Sequence, residues 1–142
     1  MKHRVVEQLN DLATFAFPIA LEVQRSQKHV SLILDKKGNM LSYGQNAART
    51  HPLAAQYRYR FNEVHSELDA FLKIPRNLRS GDLTLLNYRF NRFGHLRKSR
   101  PCSKCLLWCH AVFKNIIYTD NAGFNIITET GDRFIQNYHL AE

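Results

Sequence analysis

Apolar residues near the start of the chain recur at steps of three and four. At that spacing Val5, Leu9, Leu12, Ala16, Ile19 and Val23 share one helix face, and Pro18 is expected to kink the helix or end it early. The period then shortens to two. In "HVSLILD" the residues Val30, Leu32 and Leu34 fall on one side of an extended chain, "KKGN" supplies turn residues, and "MLSYGQN" can return as the partner strand of a hairpin. Residues 47–64 have mixed character and read as a loop passing into part of a helix. "HSELDAFLKI" is a further predicted helix, with Leu68, Phe71 and Leu72 on a common face.

After the loop "PRNLRSGD", the segment "LTLLNYRF" is rich in strand formers and "NRFGHLRKSR" is a charged connection. "CSKCLLWCHAVF" predicts a buried helix, with Leu106, Trp108, Cys109, Val112 and Phe113 as core. "NIIYT" and "FNIITET" read as strands around the turn "DNAG", and the tail "DRFIQNYHLAE" is expected to add a final helical turn or two. The order helix, hairpin, helix, strand, helix, strand, strand predicts a single sheet covered by helices, an α/β architecture. No internal repeat or low-complexity tract interrupts it.

Composition adds boundaries to this picture. A chain of 142 residues can bury one sizeable core, so residues 1–142 are expected to form a single domain. Lys and Arg number 20 against 12 for Asp and Glu, a formal charge of +8. That surplus suits a phosphate-bearing partner, and equally suits plain solubility, since no one segment holds all of it. The three cysteines, Cys102, Cys105 and Cys109, crowd into one short window instead of forming the scattered even set of a secreted disulfide framework. No small-residue cleavage site follows the N-terminal apolar run, and no stretch is long enough to span a bilayer. These features lead to the expectation of a cytoplasmic protein with no membrane partner.

The cysteine window carries the sharpest chemistry. Cys102 and Cys105 stand three apart where a helix begins, so both sulfurs can face one ion, and the exposed N–H groups of a helix start favour thiolate. A redox pair is the competing reading of that spacing. Upstream, His65 and Glu67 bracket one residue at another predicted helix start. Three ligands, His65, Cys102 and Cys105, would leave the fourth position of a zinc ion open, as in catalytic sites. Bound zinc lowers the pKa of its water to roughly 7, and a carboxylate that is not itself a ligand, here Glu67, can then move protons. Cys109 can in principle supply a fourth sulfur, but a buried hydrophobe is the better reading.

The H-x-E of "HSE" followed by the P-C-x-x-C of "PCSKC" resembles the cytidine and deoxycytidylate deaminase superfamily. The approach "GHLRKSRPC" is similar to that of small phage and microbial deaminases. The resemblance implies a three-layer α-β-α sandwich with a five-stranded mixed sheet, Zn2+ as cofactor, and zinc-bearing helices side by side on one face. It also implies that Asn46 of "YGQN" contacts the sugar, that backbone groups near Ser66 and Cys102 orient the base beside Pro101, and that Asp120 lies at the pocket wall. "NIIYT" and "FNIIT" are separated only by a turn and are expected to pair antiparallel, as in members acting on free nucleosides.

The expected reaction is hydrolytic deamination of a nucleobase, most readily cytosine in a nucleoside or nucleotide. Alternatives are a deaminase of cytosine or adenine in single-stranded DNA or RNA, a noncatalytic zinc-stabilised module binding nucleic acid or protein, and a deaminase of another heterocycle. A homo-oligomer is compatible with the resemblance, because relatives commonly complete their pockets with a neighbouring subunit. Elsewhere, "YRYRF" at 57–61 interleaves aromatics with arginines that can stack bases and hold phosphates, although one apolar and one charged face of an ordinary element explains it better. His51 reads as an exposed loop histidine.

Overall fold

The middle strands of the protein carry apolar side chains on both faces, because helices cover the sheet from either side. A computed structural model describes residues 3–23, 28–46, 65–79 and 81–138, with side chains from Glu7 onward. His51, the "YRYRF" run and the rest of 47–64 lie outside the described residues. The elements are α1 (His3–Leu21), β1 (Lys28–Leu34), β2 (Met40–Gln45), α2 (Ser66–Leu72), β3 (Leu83–Phe90), α3 (Ser103–Val112), β4 (Phe113–Thr119), β5 (Gly123–Thr128) and β6 (Gly131–Asn137).

The strands form one mixed sheet in the order β2-β1-β3-β4-β5-β6. Only β3 and β4 pair in parallel, joined by the crossover through α3; the remaining neighbours are antiparallel. The antiparallel pairing of "NIIYT" with "FNIIT" is present as β4 against β5. Six strands replace the five expected. The tail is the reason: Thr128 pairs with Gly131 across a two-residue turn, and Asp132 to Asn137 run back along β5. Gly131 has a φ of 127°, which a residue with a Cβ adopts only under strain. The alternation of exposed and half-buried residues in this edge strand is weak, so its sequence resembles a polar helical tail as much as a strand.

Period-two alternation sorts the two cores. Val30, Leu32, Leu34, Leu86, Tyr88, Phe90, Ile117 and Phe124 turn toward α1 and pack on Leu9, Ala13, Ala16 and Ala20. Each large apolar side chain removed from water here contributes about 1.5–3 kcal/mol. Ile33, Leu83, Leu85 and Ile116 face the other way, onto Leu68 and Ala70 of α2 and Cys105, Trp108 and Cys109 of α3. Trp108 packs against Phe71 and Phe113, as core reading predicts. Pro18 does not end α1, which runs on through Leu21. Its missing N–H removes one helical bond, the one to the carbonyl of Thr14, while Gln45 Nε2 donates to the carbonyl of Ile19 beyond the proline.

Gly44 fixes how α2 lies on the sheet. A Cβ there would stand 2.3 Å from the backbone nitrogen of Ala70 and 2.4 Å from the carbonyl oxygen of Ser66. The helix backbone therefore rests directly on β2. Asp69 locks the contact, accepting from the Gln45 N–H at 3.0 Å and pairing with Lys73 at 3.0 Å. No described helix is long and apolar enough to cross a membrane.

Candidate metal centre

Both short helices begin at one end of the sheet, where β2 and β3 finish. Open α/β sheets bind ligands at such carboxyl ends of parallel strands. His65 is the N-cap residue of α2, with φ −74° and ψ 153°, and Cys102 is that of α3, with φ −67° and ψ 168°. Extended backbone at a cap lets the side chain lie over the free N–H groups of the helix it precedes. In α3 the sulfur itself is the cap: Cys102 Sγ accepts the Cys105 N–H at 3.4 Å. One turn later the Cys105 thiol falls on the same side.

His65 Nδ1 lies 3.7 Å from Cys102 Sγ and 3.4 Å from Cys105 Sγ, and the three ligand atoms all fall within 4.8 Å of one another. A tetrahedral zinc ion bonded at about 2.0 Å to nitrogen and about 2.3 Å to sulfur would separate those atoms by about 3.6 Å. The observed edges bracket that value, and the nitrogen–sulfur donor set is one zinc favours. Cys102 is already poised as a ligand. The Cys105 thiol hydrogen bond, opposed in part by burial and reinforced by His65 and the Cys105 N–H, brings its pKa down to about 3. Cys109 is fully buried in the core beneath, and burial pushes its thiol up. It is no part of the triangle.

Glu67 is 4% exposed, is not one of the three converging groups, and accepts from the Ser66 hydroxyl at 2.9 Å. A buried polar chain continues from it. Ser66 Oγ lies 2.8 Å from Ser31 Oγ, which donates to Asn87 Oδ1 at 2.6 Å; Asn87 Nδ2 donates to the carbonyl of Ser99 at 3.1 Å. Ser99 Oγ in turn donates to the carbonyl of Asn87 at 2.8 Å and meets Thr119 Oγ1 at 2.8 Å. The Ser99 carbonyl fixes which end of the Asn87 amide faces Ser31. This chain ties the start of α2 to the segment that leads into Cys102. Arg100 in that segment bonds Asp132 of β6 at 2.8 Å, and Tyr118 donates to the same carboxylate at 2.5 Å.

The other expected residues stand as follows. Ser66 is buried with its hydroxyl inside the chain just described, and Pro101 is buried directly before Cys102. Asn46 prolongs the hairpin ladder, its Oδ1 accepting the His29 N–H at 3.0 Å and its own N–H reaching the His29 carbonyl at 3.3 Å. Asp120 builds the β4–β5 turn: Oδ1 accepts from the N–H groups of Ala122 and Gly123, and Oδ2 from Asn125 Nδ2. Burial alone would raise its pKa, but these hydrogen bonds and the charge of Lys98 hold it below the usual carboxylate range.

Sequence reasoning passed over His29, Ser31, Asn87, Arg89, Ser99 and Thr119. Their signal is polarity on strands that are otherwise apolar, Ser31 within "HVSLILD" and Asn87 within "LTLLNYRF". His29 feels the whole site. Burial lowers its pKa, Glu67 and Cys102 raise it, and Arg89 and His65 act with burial.

No family model matches the sequence, and no curated protein does either. Among solved structures, the chain is similar to the dCMP deaminase of the cyanophage S-TIM5 in apo form, with a TM-score of 0.50 and 20% sequence identity over 84% of this chain and 86% of that one. At that identity the likeness shows a shared fold: helices on a mixed sheet, of the kind found in that deaminase.

Proposed function

We propose that the protein is a zinc-dependent hydrolytic deaminase converting cytosine in a nucleoside or nucleotide to uracil with release of ammonia. The observation that carries this reading is the His65–Cys102–Cys105 triangle with the buried carboxyl of Glu67 two residues from His65. The fold it shares with a dCMP deaminase supports the same substrate class.

His65 Nδ1 and the two sulfurs would hold the metal. Zinc at such a site acts as a Lewis acid, making hydroxide available from water at neutral pH. The chain does the rest. Glu67 takes a proton from the attacking water and delivers protons to the ring nitrogen and then to the departing amine, so the base loses NH3 and gains oxygen. A general acid–base group that must both accept and donate works best where either protonation state has a partner. The Ser66 hydroxyl provides one, accepting from the carboxyl when it is neutral and donating to it when ionised. The N-terminal backbone of α2 and α3, beside Ser66 and Cys102, orients the base against Pro101, and Asn46 contacts the sugar.

The test is turnover of a panel of cytosine and adenine nucleosides and nucleotides by zinc-loaded protein, read by mass spectrometry. Loss of the amine from a cytosine compound is expected, and Glu67→Gln should end ammonia release while zinc stays bound. Full activity of Glu67→Gln would show that the assigned proton path is wrong. A formal charge of +8 favours single-stranded nucleic acid as a second substrate reading. Binding of an oligonucleotide would then weaken steeply with salt, because each phosphate contact releases counterions.

A further inference from the structure

We infer that Arg89, with Arg97 beside it, forms an anion subsite at the rim of the metal centre that takes a phosphate group of the substrate. The inference rests on the deaminase reading for the identity of that substrate, and on geometry for the subsite itself.

Placement comes from the register of β1 on β3. Ser31 stands opposite Asn87, and these two carry the polar chain that ends on Glu67. Two residues along each strand, hence on the same face and nearer the strand ends that bear the metal ligands, His29 stands opposite Arg89. The charges of Glu67, Arg89, His65 and Cys102 all act on His29, so the arginine and the candidate metal centre belong to one electrostatic neighbourhood.

The guanidinium of Arg89 is held but not satisfied. Nη1 donates to the carbonyl of Lys98 at 3.2 Å, which anchors it against the segment leading to Cys102. Nε is buried and, among the described residues, has no acceptor. A buried donor without a partner is rare in a folded protein, and it marks a place where a ligand or water belongs. Carboxylates do not fill it: among the described residues Asp132 pairs with Arg100, Asp82 with Lys114 and Asp69 with Lys73. Burial, and then the charge of Arg97, hold Arg89 below the usual arginine range, as expected of a partly desolvated cation beside another.

The local sequence points the same way. Residues 89–100, "RFNRFGHLRKSR", contain five cationic residues and no acidic one. A guanidinium fork is matched to two oxygens of a phosphate or carboxylate. Phosphate is the group that a cytosine nucleotide presents at the end away from its reacting amine. It can come from a terminal monoester or from a strand's phosphodiester, and both offer the same paired oxygens.

The experiment uses the zinc-loaded full chain and two variants, Arg89→Met and Arg89→Lys. Inorganic phosphate is titrated by calorimetry, and kcat/KM is measured for deoxycytidine, its 5′-monophosphate and a short single-stranded oligonucleotide with one internal cytosine. Saturable phosphate binding is expected for the native protein, lost in Arg89→Met and partly kept in Arg89→Lys. Against the monophosphate, Arg89→Met should lose about 10- to 100-fold in kcat/KM, in keeping with charge-assisted hydrogen bonds, while the nucleoside is unaffected. A loss confined to the oligonucleotide would support the subsite with a phosphodiester as its ligand. An equal loss on nucleoside and phosphate-bearing substrates, or no phosphate binding by the native protein, would overturn the inference. Phosphate titration needs no turnover, so it reads the subsite even if the deaminase reading fails. Unchanged zinc content and melting temperature in Arg89→Met guard against misfolding.

Discussion

Replacing Asn87 by alanine tests whether the polar chain under the metal centre holds it together. Asn87 is 3% exposed; its amide accepts from Ser31 at 2.6 Å and donates to the Ser99 carbonyl at 3.1 Å. Truncation leaves Asn87's two partners buried and short of a hydrogen bond. Each stranded group costs about 1–3 kcal/mol, and a water entering the small space recovers part of that. A net destabilisation of about 2–4 kcal/mol follows from those two terms. A chain of this size should melt about 3–4 °C lower per kcal/mol, so a drop of about 6–15 °C is expected. The protein should still fold, because total stabilities of about 5–15 kcal/mol are usual.

Thermal unfolding of the metal-free protein gives this number without interference from zinc. Ser31→Ala provides the cross-check. Ser31 and Asn87 touch, so their effects should fail to add, with the double variant less damaged than the sum of the singles by about 0.5–3 kcal/mol. Because the chain ties the start of α2 to the segment before Cys102, zinc affinity should also fall in Asn87→Ala. Melting within about 2 °C of the native protein, about 0.5 kcal/mol on the same scale, would refute the reasoning.

Three further outcomes follow from other parts of the molecule. Gly44→Val should displace α2 from β2 and weaken zinc binding along with stability, since a Cβ would meet backbone atoms at 2.3 and 2.4 Å; overpacking of this kind costs about 1–3 kcal/mol or more. Unchanged zinc affinity in that variant would count against the role given to the close approach. In metal-free protein Cys102 should react with iodoacetamide before the buried Cys105 and Cys109. Its pKa of about 3 lies below the working range, so the thiolate is fully formed there and the rate should be flat from about pH 5 to pH 8, where an ordinary thiol near 8.5 gains about tenfold per unit. Zinc should protect it, and a steep rise with pH would contradict the hydrogen-bonded thiolate. His65→Ala removes one corner of the triangle and should weaken zinc binding measured by competition with a chelator; undiminished affinity would remove His65 from the site.

Much of this was legible from residue patterns, and the gaps have physical causes. The apolar runs of β1, β3, β4 and β5 are strong because both faces of those strands are largely buried. β6 has no such pattern, since an edge strand with exposed faces takes its pairing from β5 and the turn at Gly131. Pro18 misleads for a different reason: it removes a single helical bond in the last turn, and the helix runs only as far as Leu21 beyond it. The ligands His65, Cys102 and Cys105 were visible because metal chemistry restricts residue type and spacing together. Ser31, Asn87 and Ser99 were not, because a serine or asparagine in a strand announces polarity without naming its partner. Arg89 was lost within the general positive charge, and only register and burial distinguish it from the arginines around it.

The central claim is that one imidazole and two thiolates bind a single zinc ion and leave a place for water. X-ray absorption of zinc-loaded protein measures this directly. Two sulfurs at about 2.3 Å and light atoms at about 2.0 Å, one from His65 and one from solvent, are the result the account predicts. A third sulfur from Cys109, or a spectrum unchanged by Cys102→Ser, would contradict it.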